Sequence, residues 1–342
     1  MELALRMRQH PWVALLLALL AVLVGLALWR PVPDRLIAPG PPEKLVLGVA
    51  DLTAMMPVLV AEEHGFLRDV GLDVTYRRFP SGKAALEALF RGEVEAATVA
   101  DTPVVFASFQ RHDFVLVGSF LSSDILNYSL AHPASGIASA ADLRGRRVGV
   151  IAGTSADYCL HVLLTDHGLS EAEIDKVPLA GPQMADALLN RRVDAIAAFD
   201  PYLSQAQKAL GNTARVLLDR DRCQTTVGYI TSRDFLRQRP EALVRLLRGT
   251  GQAIDWMRSH RQEAIALVAR RLDIAPAYLE AQWDDYRLVL ELRQRDLVAL
   301  EQQAQWAMRS GQAPGATMPN YLDFIDFTAL EAVKPRAVTV IH

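Results

Sequence analysis

The chain has 342 residues, 51% of them hydrophobic, which suffices for two domains or one bilobed body with a sizeable core. Its 36 basic and 39 acidic residues leave a formal charge of -3, so the balance points neither to nucleic acid nor to an acidic disordered tail. The two cysteines, Cys159 and Cys223, form no C-x-x-C unit, which leaves a zinc ribbon or a thioredoxin-like motif unsupported. They can pair if the domain is exported; the plainer reading is two separate small hydrophobic side chains.

Residues 12–29, WVALLLALLAVLVGLALW, form an uninterrupted apolar run just long enough to cross the hydrocarbon core as a helix. Trp12 and Trp29 stand where interfacial tryptophans belong. Arg6 and Arg8 precede the run, so residues 1–11 are expected in the cytoplasm and everything after Arg30 outside it. The competing reading is a cleaved signal peptide, for which Gly25 and Ala27 offer small residues near a cut. An uncleaved anchor fits the length of the run better, and both readings export the body of the chain. Residues 30–43 form a Pro-rich, semi-extended spacer.

From Leu45 the pattern alternates between strand and helix. LVLGVA, LDVTYRRF, VEAATVA and FVLVGSF read as strands, with helical apolar spacing between them. The pattern then restarts with RVGVIA, DKVPLA and VDAIAAF as strands and helices between. Such alternation predicts parallel sheets flanked by helices. The halves superpose as sequences. Ala88-Leu89 matches Ala187-Leu188, Val94 matches Val193, Glu95 matches Asp194 and Asp101 matches Asp200, at a constant offset of 99 (187 minus 88). After the strand-like VGYITS, the chain from Pro240 reads as largely helical, including the stretch AYLEAQWDDYRLVL. Trp256, Trp283 and Trp306 read as core or seam residues of these helices.

Three segments resemble the nitrate/sulfonate/taurine-type solute-binding proteins of ABC transporters, a superfamily that also holds proteins binding or synthesising the thiamine pyrimidine precursor. They are AEEHGFLRDVGLDVTYRRFPSGKAALEALFRGEVEAATVADTPVV, ADLRGRRVGVIAGTSADYCLHVLLTDHGLS and VDAIAAFDPYLSQA. In the last, Phe199 and Asp200 stand where the family often has tryptophan and glutamate. The resemblance implies an α/β, type II periplasmic-binding-protein fold: two α/β lobes with a ligand cleft between them, preceded by the N-terminal transmembrane helix. Lobe 1 is expected over 44–126 and 227–342 with the C-terminal helices, and lobe 2 over 127–226. Strand-like crossovers are expected near 125–131 and 226–231, with hinge closure on the ligand.

The cleft residues are expected at strand ends, beyond the carboxyl edges of the parallel sheets. Ser81-Gly82 and Gly153-Thr154-Ser155 open helices, where N–H groups and hydroxyls suit an oxyanion. Tyr158 comes soon after the second of these. Asp101-Thr102-Pro103 and Asp200-Pro201-Tyr202 are the matched pair from the two halves, and Asp51 and Thr53 complete the rim. The hydroxyls favour an anion while the carboxylates disfavour a bare one, so a taurine-like zwitterion or a pyrimidine-like heterocycle reconciles them.

The resulting expectation is an extracytoplasmic solute-binding protein, anchored in the cytoplasmic membrane or secreted if cut, that serves ABC-type permease and ATPase subunits. It needs no cofactor or metal: His161 and His167 lie six apart (167 minus 161) and do not share a helix face. An enzyme is not expected, because the clustered cysteine motif of the pyrimidine-synthesising members is missing, as are a G-x-S-x-G elbow, H-E-x-x-H and a P-loop. The alternatives are a membrane-anchored sensory subunit or, less favoured, a pyrimidine-synthesis-like enzyme.

Overall fold

The computed structural model describes residues 41–341. The expected cytoplasmic stretch 1–11, the apolar run 12–29 and the spacer up to residue 40 lie outside the described residues. Among the described residues no helix is long and apolar enough to cross a membrane.

The strands, in chain order, are β1 (Glu43–Ala50), β2 (Leu72–Phe79), β3 (Ala96–Ala100), β4 (Phe114–Ser123), β5 (Asn127–Ala131), β6 (Arg147–Val150), β7 (Asp175–Pro178), β8 (Ala195–Phe199), β9 (Arg215–Leu217), β10 (Thr225–Ser232) and β11 (Arg287–Glu291). They form two sheets, a 6-stranded one in the order β11-β4-β10-β3-β1-β2 and a 5-stranded one in the order β7-β6-β8-β5-β9. In the first, β1 runs parallel to β2 and β3, and β10 lies antiparallel between β3 and β4. In the second, β6 runs parallel to β7 and β8, and β5 lies antiparallel beside β8. The same motif is therefore written twice: a parallel trio with its first strand in the middle, bordered by an antiparallel strand. This is the structural counterpart of the constant sequence offset, and it makes β3 and β8 equivalent strands.

The central strands of the second sheet are buried on both faces by strand alternation. Val148, Val150, Ala195 and Ala197 pack into one core with Leu160, Leu163 and Leu164. Ile196 and Ala198 point the other way into the larger core, which also fills the first lobe.

Three expectations change. The segments expected to cross between lobes are regular strands: β5 pairs with β8 and β9, and β10 pairs with β3 and β4. The crossings are the short loops 124–126 and 218–224, because an extended apolar segment satisfies its backbone best inside a sheet. The stretch AYLEAQWDDYRLVL is not one helix. Its helix spans Pro276–Gln282, and Leu288 and Leu290 are buried in β11, which covers the open edge of β4. The two cysteines are also not separate: Cys159 and Cys223 form a disulfide that ties the Ser155–Asp166 helix to the returning loop.

Candidate functional site

Between the lobes lies a narrow cleft lined by residues of both. Its walls come from the carboxyl ends of the parallel strands: Leu52–Met55 after β1, Ser81–Lys83 after β2, Ala100 and Pro103 around the end of β3, Thr154 and Ser155 after β6, and Phe199 and Asp200 at the end of β8. Leu126, Asn127, Thr225 and Val227 close it at the crossings.

Two helices start at this cleft. Ser81 caps the Gly82–Phe90 helix by accepting from Ala84 N at 3.2 Å. Gly82 lets the helix start pack closely on β3: a Cβ would stand 3.1 Å from the Thr98 carbonyl oxygen and 3.2 Å from Val99 Cα, so the strand would have to give by a few tenths of an ångström. Across the cleft, Gly153 sits at φ +69, in the left-handed region that glycine adopts freely, and leads into the Ser155–Asp166 helix. Both helix starts carry the positive end of the peptide dipole and N–H groups left over from helix bonding. Lys83, on the first of these helices, lines the same cleft and donates to the Ala152 carbonyl at 3.0 Å. Ser155 donates to Asn127 Oδ1 at 3.0 Å, and Asn127 Nδ2 donates to Thr225 Oγ1 at 2.8 Å, so one polar strip joins both lobes at the cleft floor. Leu52, Met55, Leu126, Phe199 and Val227 supply the apolar part of the wall.

The structure sorts the predicted residues. Thr53, Ser81, Gly82, Thr154, Ser155 and Asp200 line the cleft. Asp51, Asp101, Thr102, Tyr158 and Tyr202 are not in its wall. Asp51 accepts from Arg78 at 3.0 Å. Asp101 accepts from Thr102 N at 2.9 Å and Thr226 N at 3.1 Å, and burial pushes its carboxyl up to about 6 against these bonds. The Thr102 hydroxyl donates to Gln303 at 2.6 Å. Tyr158 packs its ring on Trp306, with 5.2 Å between centroids, in a separate groove over the lobe seam. Tyr202 donates to the Pro80 carbonyl at 2.8 Å, from one lobe to the other. Asp157 is held by Lys176 at 2.5 Å and by Gly153 N at 2.9 Å.

Asp200 is the one carboxylate among the described lining residues. It accepts from Ser204 N at 2.9 Å and from the Tyr278 hydroxyl at 2.8 Å, and burial raises its pKa. The acidic rim expected from the sequence is thus spent on protein donors. Asn127, Thr225 and Lys83 complete the site. Asn127 was legible as an isolated amide inside the apolar crossing segment, and Lys83 as a cation one residue past Gly82. The choice of Thr225 had no local signal.

The lobes meet through hydrogen bonds around the cleft: Lys83 to Ala152, Tyr202 to Pro80, Tyr278 to Asp200, and Trp306 Nε1 to Glu171 at 2.7 Å. Burial alone would raise Glu171, but hydrogen bonds from His161, Lys176 and Trp306 outweigh it and hold the carboxyl at about 2. The arrangement is a cleft that gathers two helix starts, Lys83 and one engaged carboxylate beside an apolar stretch of wall. Its described lining contains no cysteine or histidine, and the Ser155 hydroxyl faces an amide, not a base.

Comparison with known proteins places this geometry. The "Putative aliphatic sulfonates-binding protein" of Escherichia coli is 29% identical over 267 residues, covering 77% of this chain and 82% of its own length. The alkanesulfonate-binding protein SsuA from Xanthomonas axonopodis pv. citri, bound to MOPS, superposes with a TM-score of 0.73 at 22% identity over 84% of this chain and 99% of that one. The desulfurization enzyme DSZB superposes with a TM-score of 0.64 at 19% identity over 86% of this chain and 99% of that one. The two superpositions show the fold, which by itself is compatible with binding and with catalysis. The family model described as NMT1/THI5 like matches residues 53–264, from the loop after β1 through both cleft-forming sheets into the C-terminal helices, and the chain belongs to that family.

Proposed function

We propose that the protein is an extracytoplasmic solute-binding protein of an ABC importer that captures a small organic sulfonate. One observation carries the ligand class: two helix starts and Lys83 converge on a cleft whose only described carboxylate, Asp200, is already engaged by Ser204 N and Tyr278, with an apolar stretch of wall beside them. The oxyanion head meets N–H groups and a cation, and the aliphatic tail meets Leu52, Met55, Phe199 and Val227. A bare inorganic anion would leave that apolar wall against water. In this reading Thr53, Ser81, Gly82, Thr154 and Ser155 touch the ligand. Asp51, Asp101, Thr102, Tyr158 and Tyr202 support the loops from behind.

The two lobes, one built on each sheet, close over the ligand by a hinge at the crossings 124–126 and 218–224, and the closed body is what the permease reads. The apolar run 12–29 holds the body at the outer face of the cytoplasmic membrane. Relatives named for sulfonate binding favour uptake over the sensory alternative. The amide-bound Ser155 and the missing cysteine cluster favour binding over catalysis, so the protein is read as no enzyme.

The test is thermal unfolding against alkanesulfonates, taurine, nitrate and thiamine pyrimidine precursors. A sulfonate at about a thousand times its dissociation constant should add roughly 4 kcal/mol, with the compound recovered unchanged. Stabilisation by a pyrimidine alone, or by no sulfonate in the panel, refutes the ligand class.

A further inference from the structure

We infer that Tyr278 is a specificity-determining residue: by engaging the Asp200 carboxylate it sets the cleft's preference for sulfonates without an amine over amine-bearing ones. The inference rests on the proposed sulfonate-binding role and deepens it.

Tyr278 lies on the Pro276–Gln282 helix, far along the chain from the cleft loops and outside the cleft wall. Its hydroxyl donates to Asp200 Oδ2 at 2.8 Å and lies 2.6 Å from the Tyr128 hydroxyl. Tyr278 spends its proton on Asp200, so Tyr128 supplies the proton between the two phenols. The result is a chain from Tyr128 through Tyr278 to Asp200, whose donors polarise one another in a buried setting. The other oxygen, Oδ1, accepts from Ser204 N at 2.9 Å. Asp200 is only 4% exposed.

An unengaged carboxylate in this wall would do two things. It would repel a sulfonate head in a site of low dielectric, and it would offer an ammonium group a strong partner. With a donor already on each oxygen, both effects are weakened, and an incoming ammonium must compete with Tyr278. Asp200 belongs to one lobe and Tyr278 packs with the other, so the carboxylate is engaged when the lobes are closed.

The experiment uses the full chain and two ligands that differ by one amine, ethanesulfonate and taurine. Both are titrated calorimetrically into wild type, Tyr278→Phe, and Tyr278→Phe combined with Asp200→Asn. Wild type should favour ethanesulfonate. Tyr278→Phe leaves Asp200 Oδ2 without its phenol and should move the affinity ratio toward taurine on the order of tenfold, the worth of one hydrogen bond to a charged group. Adding Asp200→Asn should return the ratio. A misfolded fraction changes the number of sites but not the ratio of two dissociation constants measured on one sample. A ratio that stays within about twofold, equal weakening of both ligands, or a wild type that prefers taurine overturns the inference. Failure of the underlying reading looks different: wild type then binds neither compound, which overturns both.

Discussion

Asp101→Asn isolates one buried charge. The Asp101 carboxyl holds Thr102 N and Thr226 N, stitching the start of the Asp101–Ser108 helix to β10, and burial pushes it from 3.8 to about 6. Proton counting gives the sign. Between about pH 4 and about pH 6 the folded chain keeps a proton on Asp101 that the unfolded chain has released. Stability from this group is therefore present below about pH 4, falls as pH rises through the window, and stays lost above it. Across the whole window this is worth about 3 kcal/mol. Asparagine cannot titrate, so the variant lacks this slope, although it loses one of the two acceptors. The assay is urea unfolding of wild type and variant at about pH 4 and about pH 7, on the body from residue 42, which forms a compact unit of its own. The difference between the two proteins should change by about 2 kcal/mol in favour of the variant at the higher pH, part of the window being already crossed at about pH 4. Parallel profiles, with a change under about 0.5 kcal/mol, would refute the claim that Asp101 is a desolvated structural carboxylate.

The other predictions concern the anion site and the crossing. Lys83→Met should weaken a sulfonate ligand on the order of tenfold and reduce the loss of affinity with added salt, read by calorimetry at two ionic strengths; unchanged affinity removes Lys83 from the site. Replacing Cys159 and Cys223 by serine opens a loop spanning a sequence separation of 64 and should cost about 4 kcal/mol in urea unfolding. A reduced protein as stable as the oxidised one would contradict that cross-link.

Some of this was legible residue by residue. Strand-then-helix spacing located β1 to β4 and β6 to β8, and the constant offset between Asp101 and Asp200 marked β3 and β8 as equivalent. Ser81, Gly82, Thr154 and Ser155 were legible as helix starts because a cap and its helix lie within one turn of sequence. Other features depended on partners far along the chain. Asp101 and Thr102 looked like cleft residues but turn to Thr226 N and Gln303. β11 was hidden in an apolar run that also fits a helix, and only the open edge of β4 makes it a strand.

What the sequence by itself determined is the alternation of elements, the doubled motif and the loops that can bear N–H groups and hydroxyls. These are local signals, set by side-chain period and capping within a few residues. Only the tertiary structure decided which of those side chains face the cleft and which face protein. It placed Asn127 against Thr225, Cys159 against Cys223 and Tyr278 against Asp200. The physical reason is that a carboxylate or hydroxyl at a strand end takes whichever donor the packing brings within reach. Where that donor comes from another element dozens to hundreds of residues away, no periodicity or spacing reports it.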